Sequence, residues 1–306
     1  MIAAGETTSA VLIVNPTSGR LSHSKRSEAV AILKANLDLD VYVTTARDTG
    51  TEIAEKAVAD GHDTIIAFGG DGHVNEVANG VARTAASLAI LPGGTMNVFA
   101  RALEIPLDPA AAARRITQRM SMAPRSVPLG RMDDRYFCFS AGCGFDAEAA
   151  ERVERDLPSK RRFGEMFFYW SAFRVLLGSY RHRNPTMILR GPFGEIPVAM
   201  AIASNSGPYA FLMGRAIEVA PDVNLDGGID VFALHRMRIE SLPAYAWRSA
   251  FSGDLAHHPD AFYASDLTGF ALISESEFHR HVDGEPLPPA TSARFSVIPD
   301  ALKVRL

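Results

Sequence analysis

The stretch Thr64-Ile65-Ile66-Ala67-Phe68-Gly69-Gly70-Asp71-Gly72 decides the fold, because an apolar run ends directly in a glycine-rich loop. The apolar run predicts a buried strand, and the pattern at 74–81 predicts a helix after the loop. Glycine lets backbone N–H groups approach an anion closely, and the start of a helix carries a partial positive charge. The loop is therefore a candidate phosphate site, with an ordinary strand-to-helix turn as the alternative.

Two further apolar runs end in polar loops that contain glycine. The run at 10–14 leads into Asn15-Pro16-Thr17-Ser18-Gly19, and the run at 88–91 leads into Pro92-Gly93-Gly94-Thr95-Met96-Asn97. In an open parallel sheet the carboxyl ends of the strands share one edge, where ligands bind. We therefore expect the three loops to converge on one ligand. None of them has the Walker or the GxGxxG pattern, so neither of those nucleotide-binding modes is indicated.

The first part of the chain alternates strand and helix patterns. Apolar residues at helical spacing between 29 and 37 predict a helix, and 41–43 predicts a short strand. Thr49-Gly50-Thr51-Glu52 has the spacing of a capping box and predicts the start of a helix that ends at Gly61. Such alternation indicates a parallel sheet covered by helices. The pattern continues with strands at 64–68 and 88–91 and helices at 74–83 and 97–103.

Around 124–128 the pattern changes to short β-rich runs separated by Gly, Pro and Asp. These runs are 136–139, 186–189, 198–203, 229–234, 270–274 and 293–297. We therefore predict one domain at 1–125 and a second, mostly antiparallel domain at 126–306, with the last strand a candidate to return to the first domain. A cleft between two domains is the default place for a substrate.

Composition narrows the class of protein. A chain of 306 residues, 47% of them hydrophobic, is long enough for about two domains with sizeable cores. The net charge of −4 argues against a nucleic-acid partner recognised by bulk charge. Cys138 and Cys143 are interpreted as small buried hydrophobes rather than a disulfide, a metal site or a nucleophile.

The sequence shows no segment that would carry the chain into or across a membrane. Residues 1–6 lack a positive segment followed by an apolar core, so no secretory signal is predicted. No apolar run reaches the ~20 residues needed to span a bilayer. We therefore expect a cytoplasmic protein, with any membrane contact peripheral and at the inner face of the membrane.

Six stretches of the sequence together resemble a known family. They are Asn15-Pro16-Thr17-Ser18-Gly19, Gly69-Gly70-Asp71-Gly72-His73-Val74-Asn75-Glu76-Val77, the run from Pro92 to Arg101, Gly142-Cys143-Gly144-Phe145-Asp146-Ala147, Ala220-Pro221 with the run from Asp226 to Val231, and Asp283-Gly284-Glu285. In this order they resemble the diacylglycerol kinase catalytic-domain family, which includes bacterial lipid kinases, diacylglycerol kinases, sphingosine kinases and ceramide kinases. The resemblance covers nearly all of the chain.

Two positions depart from the family pattern. The family usually has Thr after GGDG, where this chain has His73, and Asp after the Asn of the third loop, where this chain has Val98. His73 either replaces a hydroxyl contact to the nucleotide by an imidazole contact or points outward. The nucleotide preference is the property that this change affects most directly.

The resemblance implies a fold of two domains and ATP as a cofactor. The first domain is an α/β domain with a parallel sheet, as in NAD kinases and diacylglycerol kinases, and the second is a mostly antiparallel β-sandwich that takes the lipid. The implied nucleotide-binding residues are Asn15, Ser18, Gly19, Thr44, Thr45, Gly69, Gly70, Asp71, Gly72, His73, Asn75, Glu76, Gly93, Gly94, Thr95 and Asn97. Asp71 would need a cation between itself and a phosphate, since like charges repel.

The resemblance also assigns three catalytic carboxylates. Asp283 is the implied general base for the lipid hydroxyl, Glu285 lies close to the nucleotide or its metal, and Asp146 supports the acid at the site. A carboxylate suits these tasks because it accepts a hydrogen bond from an alcohol and binds Mg²⁺. The alternative for Asp283 and Gly284 is a plain hairpin turn. Both interpretations are compatible.

A structural Mg²⁺ is implied at a second place. Asp226 resembles the carboxylate that holds this ion in bacterial members, with backbone carbonyls near Val223 and Gly228. Hard cations prefer such oxygen ligands, and no His or Cys spacing indicates zinc. The alternative is a β-turn without metal.

The segment at 152–183 surrounds an aromatic run with basic residues. This composition suits contact with anionic lipid, and the alternative is a helix packed on the second domain with a solvated basic end. The expected partner is a lipid substrate presented at a membrane surface, and a homodimer is possible.

The leading function is an ATP-dependent kinase that uses Mg²⁺ to phosphorylate a lipid such as diacylglycerol. The alternatives are an NAD kinase-like phosphotransferase, which shares the GGDG loop, and a catalytically inactive regulator that binds nucleotide or lipid. The sequence does not identify the lipid.

Overall fold

The chain forms two compact units. Unit 1 comprises residues 1–127 and 299–306, and unit 2 comprises 128–298. The structure is a computed structural model that describes residues 9–17, 22–145, 147–148, 151, 187–212, 215–236, 239–248, 251 and 254–306. The last eight residues therefore belong with the first unit.

Unit 1 is an α/β unit built around a parallel sheet. Its strands lie in the order β4-β3-β1-β2, and the end of the last strand of the chain pairs with β4, also in parallel. The elements are β1 (Ser9–Val14), α1 (His23–Lys34), β2 (Asp38–Val43), α2 (Thr49–Ala59), β3 (Thr64–Gly69), α3 (Asp71–Val81), β4 (Ser87–Pro92), α4 (Val98–Ala102) and α5 (Pro109–Arg119).

The predicted alternation of strands and helices in the first domain is confirmed. Every residue of β3 and β4 is buried, because these strands lie inside the sheet with side chains covered on both faces. Strand β2 is the edge strand and is exposed along most of its length. Helix α5 was not predicted; it begins at Pro109 after Asp108, whose side chain accepts a hydrogen bond from the N–H of Ala111.

The predicted capping box at 49–52 is wrong. Helix α2 does begin at Thr49, but its N-cap residue is Asp48 in the left-handed region, without a side-chain cap. The hydroxyl of Thr49 instead donates to the carbonyl of Ala46 at 2.6 Å. The cap comes from a glutamate on another helix, described below.

Unit 2 is built from mostly antiparallel strands, as predicted. Strand β5 (Arg125–Met132) crosses from unit 1 into unit 2. The other elements are β6 (Arg135–Phe137), β7 (Ser140–Gly144), β8 (Met187–Gly191), β9 (Gly194–Val198), β10 (Met200–Ser204), β11 (Ala210–Leu212), β12 (Arg215–Ile217), β13 (Ile229–Leu234), the 3₁₀ turn η1 (Ile239–Ser241), α6 (Leu242–Trp247), the 3₁₀ turn η2 (Leu255–His257), β14 (Ala261–Leu267), β15 (Gly269–Val282) and β16 (Glu285–Val304).

Strand β15 joins two groups of strands. Its first half pairs with β8, and its second half, after register shifts between Ile273 and Arg280, pairs with β7. The first group continues to β9, and the second group runs β7-β10-β13-β14. Both groups bury side chains in one core, which includes Leu189, Val231 and Phe295. Among the described residues, no helix is long and apolar enough to cross a membrane.

Candidate active site

Two of the predicted glycine loops of unit 1 touch through their backbones. A Cβ added to Gly94 would lie 2.6 Å from the Cα of Gly70, and one added to Gly70 would lie 3.2 Å from the Cα of Gly94. The N–H of Gly93 donates to the carbonyl of Gly69 at 2.7 Å. Real Cβ atoms do not approach backbone at the first of these distances, so position 94 requires glycine. The first loop begins beside them, since the N–H of Asn15 donates to the carbonyl of Phe68.

Asn97 fixes the third loop. Its backbone lies in the left-handed region at φ 48°, which asparagine tolerates better than most residues. Its side chain accepts from the N–H of Gly94 at 2.8 Å and donates to the carbonyl of Gly94 at 2.9 Å. Asp71 accepts from the N–H of Phe99 at 3.4 Å, which links the second loop to α4. These contacts hold the loops together without a ligand.

Helix α3 starts inside the second loop. Gly70 is its N-cap residue and provides no side-chain cap, and the N–H of Val74 makes the first intrahelical bond, to the carbonyl of Gly70. The N–H groups of the first helical turn have no intrahelical acceptor, and the helix dipole adds positive potential there. Gly70, Asp71 and Gly72 are partly exposed. This turn can therefore bind phosphate oxygens.

The predicted nucleotide-binding residues divide by exposure into two sets. The exposed or partly exposed set is Asn15, Thr45, Gly70, Asp71, Gly72, Gly94 and Thr95. The buried set is Thr44, Gly69, His73, Asn75, Glu76, Gly93 and Asn97. Ser18 and Gly19 lie outside the described residues. The first set is accessible to a ligand in this structure, and nucleotide contacts of both sets stay predictions.

His73 points into unit 1, so of the two alternatives for this residue, the one in which it points outward is wrong. The residue is 4% exposed, and its Nε2 lies 3.0 Å from the carbonyl of Ile13 on β1. Nε2 therefore carries the proton, and Nδ1 has no hydrogen-bond partner in the part of the chain that the structure describes. Burial lowers the pKa of His73. The ring packs where a Cβ on Gly69 would meet it at 2.5 Å, so this histidine requires glycine at the first position of the loop.

Glu76 provides the cap of helix α2. Its Oε1 accepts from the N–H of Asp48 at 2.9 Å, and its Oε2 accepts from the N–H of Gly50 at 3.0 Å. Its carbonyl also accepts from the hydroxyl of Thr51. A carboxylate at this position compensates the positive end of the helix. The geometry gives Glu76 a structural role beside its predicted contact with the nucleotide.

Asn15 and Thr44 also bond to nearby protein groups. The Oδ1 of Asn15 accepts from the N–H and the hydroxyl of Thr17, each at 2.9 Å, which forms a tight turn after β1. The hydroxyl of Thr44 lies 3.4 Å from the carbonyl of Val14. Thr45, the next residue, is exposed and is the better placed of the two threonines for a ligand.

Asp283 of unit 2 is held by three backbone N–H groups. Its Oδ2 accepts from Cys138 at 2.7 Å, and its Oδ1 accepts from Phe139 and Ser140, each at 3.0 Å. Its own N–H donates to the carbonyl of Ser140 at 2.7 Å. The side chain is buried, with 5% of the residue exposed. These donors compensate the negative charge and fix the orientation of the carboxylate.

Asp283 also forms the predicted hairpin turn. It connects β15 to β16 together with Gly284, and both residues have positive φ, at 49° and 80°. A two-residue turn of this kind favours Asp-Gly. The turn and the fixed carboxylate therefore occur in the same residue.

The other two implied catalytic carboxylates have different outcomes. Glu285 follows the turn, and its Oε2 lies 3.7 Å from the Nη2 of Arg135, with both side chains 22% exposed. Asp146 lies outside the described residues, as does the basic aromatic segment at 152–183.

Asn205 is a residue that the sequence reasoning missed. Its Nδ2 donates to the carbonyls of Cys138 at 3.1 Å and Pro128 at 3.2 Å, and its N–H donates to the carbonyl of Phe139 at 2.8 Å. It therefore anchors the segment whose N–H groups hold Asp283. The signal in the sequence is the polar run Ser204-Asn205-Ser206 at the end of a fully buried strand.

The loop with Asp226 is anchored to neighbouring strands. The N–H of Asp226 donates to Asn224 Oδ1 at 3.0 Å, and the N–H of Gly228 donates to Asp266 Oδ1 at 2.8 Å. Asp226 itself is exposed, while Val223 and Gly228 are partly exposed. No group of three or more His, Cys, Asp or Glu side chains in the described ranges could hold a metal. The implied Mg²⁺ site depends on one carboxylate and backbone carbonyls instead.

Asp230 and Tyr263 lie behind this loop. The hydroxyl of Tyr263 donates to Asp230 and accepts from the N–H of Asp222. Burial raises the pKa of Asp230, and burial together with Asp230 raises the pKa of Tyr263. The pair ties the start of the loop to β13 and β14.

Comparison with known proteins identifies the family. The family model for the diacylglycerol kinase catalytic domain matches residues 9–150. A probable lipid kinase YegS-like from Pseudomonas syringae is 32% identical over 281 residues, which cover 89% of this chain and 85% of that protein. A diacylglycerol kinase from Staphylococcus aureus is 28% identical, with 90% and 85% covered.

A solved structure shows the same fold. It is a putative diacylglycerol kinase from Bacillus anthracis with a TM-score of 0.75, 24% identity and 98% of each chain covered. The motifs, the fold and the sequence identity agree. The chain therefore belongs to the diacylglycerol kinase catalytic-domain family of kinases.

Proposed function

We propose that the protein is an ATP-dependent lipid kinase, which transfers the γ-phosphoryl group of ATP to a hydroxyl group of a lipid such as diacylglycerol. Family membership supports the reaction class, and relatives are named lipid kinase and diacylglycerol kinase. The observation that carries the proposal is the Asp283 carboxylate, buried at a hairpin turn and fixed by three N–H groups.

The accessible glycine loops of unit 1 would bind the triphosphate. Phosphoryl transfer depends mainly on positioning and on compensation of negative charge. The backbone N–H of Gly72 and the exposed hydroxyl of Thr95 are suitable donors, because they need no rearrangement of the buried residues beneath them. Glycine at 70 and 94 allows the two loops to approach each other, which concentrates these donors.

Asp283 would accept the proton of the lipid hydroxyl. A general base must hold its carboxylate in one orientation while the alcohol attacks. Three N–H groups from consecutive residues provide that orientation. The backbone of Asp283 lies in the left-handed region, and its own N–H also donates to the carbonyl of Ser140. The proton leaves the alcohol as its oxygen forms the new bond to phosphorus and the ADP oxygen departs.

Magnesium would compensate the charge of the phosphates. Glu285 is the candidate carboxylate near the nucleotide or its metal, and in this structure Arg135 compensates its charge. A second, structural Mg²⁺ would bind Asp226 with the carbonyls of Val223 and Gly228. Hard oxygen donors on an anchored loop fit this ion.

The test is a transfer assay with γ-labelled ATP and Mg²⁺. Separate reactions contain diacylglycerol, monoacylglycerol, sphingosine, ceramide, phosphatidylglycerol or NAD, and Asp283→Asn protein is run beside the wild type. We expect label in a lipid with the wild type and little label with the variant. Label in NAD alone would identify an NAD kinase-like enzyme. ATP binding without transfer to any acceptor would identify an inactive regulator.

A further inference from the structure

We propose that Trp247, Phe251 and Arg215 form a docking surface for a membrane that contains anionic lipid. This inference rests on the proposed function, since a lipid kinase must reach a substrate that resides in a membrane. It does not use the basic aromatic segment at 152–183, and it depends on described side chains alone.

The surface consists of two stacked aromatic rings that face solvent. Trp247 is the last residue of α6 and is 62% exposed, and Phe251, four residues later, is 54% exposed. The ring centroids are 4.6 Å apart with an interplanar angle of 18°. Water meets a continuous apolar area here rather than two separate rings. Large aromatic side chains kept on a surface indicate a contact with another apolar phase.

Arg215 gives the surface its charge. Its guanidinium carbon lies 5.0 Å from the centroid of the Phe251 ring. Arg248, next to Trp247, pairs with Asp254 at 3.0 Å, so those two charges compensate each other. Among the described residues of this group, the charge of Arg215 therefore remains, directly over an aromatic ring. Arginine beside Trp and Phe suits the interface of a bilayer, where rings enter the headgroup region and the cation meets phosphates.

Another exposed apolar stretch in the described residues lacks this complementarity. Val41, Tyr42 and Val43 are exposed on the edge strand β2, but Asp38 and Asp40 on the same strand are exposed as well. An anionic bilayer would repel these carboxylates. Charge therefore favours the Trp247 surface for membrane contact.

The test measures binding of the full chain to vesicles by co-sedimentation. Vesicles of phosphatidylcholine alone are compared with vesicles that also contain phosphatidylglycerol. We expect the double variant Trp247→Ser, Phe251→Ser to bind mixed vesicles about 10-fold more weakly or worse. Arg215→Gln should weaken binding roughly 5-fold on mixed vesicles only, and this part should decline with salt. Matched controls are Met122→Ser and Arg114→Gln, which change exposed residues of unit 1.

Tryptophan fluorescence gives a second measurement. The chain has two tryptophans, so a Trp170→Phe variant leaves Trp247 as the sole indole. Mixed vesicles should shift its emission to shorter wavelength, and lipids brominated on the acyl chain should quench it. Unchanged emission, or unchanged binding by the double variant, would overturn the inference. A dimer that this double variant dissociates would overturn it too, because the rings would then face a second copy.

The inference and the proposed function can fail separately. Kinase activity on a short-chain diacylglycerol dissolved as monomers does not need a membrane. If the protein phosphorylates the dissolved diacylglycerol and the double variant binds vesicles normally, only the proposed docking surface is refuted. If the protein binds vesicles through Trp247 but transfers no phosphoryl group, only the proposed kinase function is refuted.

Discussion

Asp283→Asn keeps the size of the side chain but replaces one carboxylate oxygen by an NH₂ group. In the best orientation the remaining oxygen keeps its bonds from Phe139 and Ser140, and the new NH₂ group faces the N–H of Cys138. That N–H is then buried without an acceptor, which costs ~1–3 kcal/mol. The two bonds that remain lose the carboxylate charge and weaken by about 1 kcal/mol each. Partial relief of desolvation offsets some of this cost. We therefore expect the free energy of unfolding of unit 2 to fall by about 3 kcal/mol.

The assay is urea unfolding of the full chain, followed by signals from both units, with Asp300→Asn in the 299–306 segment of unit 1 as the control. Asp300 also has a positive φ, at 50°, and it is exposed. Asparagine tolerates this backbone region at both positions. The control should change the free energy of unfolding by about 0.5 kcal/mol or less. Equal unfolding midpoints for the two variants would refute the structural account of Asp283.

Without urea, where Asp283→Asn should remain folded, the same variant tests the catalytic role of Asp283. Loss of a general base typically lowers the rate about 100- to 10,000-fold. Affinity for ATP should stay close to that of the wild type, because the predicted nucleotide-binding residues belong to unit 1. Calorimetric titration with ATP and the transfer assay separate the two effects. Near-normal transfer by Asp283→Asn would exclude the residue as the base.

Three further results are expected. Glu76→Gln should lower the free energy of unfolding by ~1–3 kcal/mol through loss of the α2 cap, whereas Glu52→Gln, on the exposed first turn of that helix, should have little effect; chemical denaturation compares them. Gly94→Ala should raise the KM for ATP about 10- to 100-fold, since its Cβ would collide with Gly70, and an unchanged KM in steady-state kinetics would contradict this. Burial lowers the pKa of His73 below 6.5, so at acidic pH the unfolded chain binds a proton that the folded chain does not bind. As the pH drops below about 6.5, the free energy of unfolding should therefore decrease, by at most ~1.4 kcal/mol per pH unit. His73→Gln should lack this part of the pH dependence in denaturation curves.

Local patterns in the sequence predicted those parts of the fold that local physics determines. The strand at 229–234 has the predicted bounds, because a run that is apolar except for Asp230 is buried along its whole length. Strand β15 is much longer than the predicted 270–274, since its mostly polar second half continues to pair with β16 after register shifts, and its end at 280–282 also pairs with β7. No apolar alternation marks such a half-strand. Likewise, the sequence indicates where α2 begins, but its cap comes from Glu76, 26 residues away from Gly50.

The candidate site shows the same limit more sharply. Glu76 and Asp283 are both acidic residues within family motifs, and the sequence assigned both to ligand chemistry. The structure shows that each carboxylate accepts N–H groups from a distant segment, two for Glu76 and three for Asp283. The difference lies in what those segments do. The donors to Glu76 lie at the start of helix α2, and the carboxylate compensates the positive end of that helix. This role is structural. The donors to Asp283 belong to the segment at 138–140, and Asn205 braces this segment by donating hydrogen bonds to two of its carbonyls. The carboxylate is therefore held by a segment that is itself fixed. Such bracing exceeds what a hairpin turn requires and is what a group that must meet a substrate in one orientation needs.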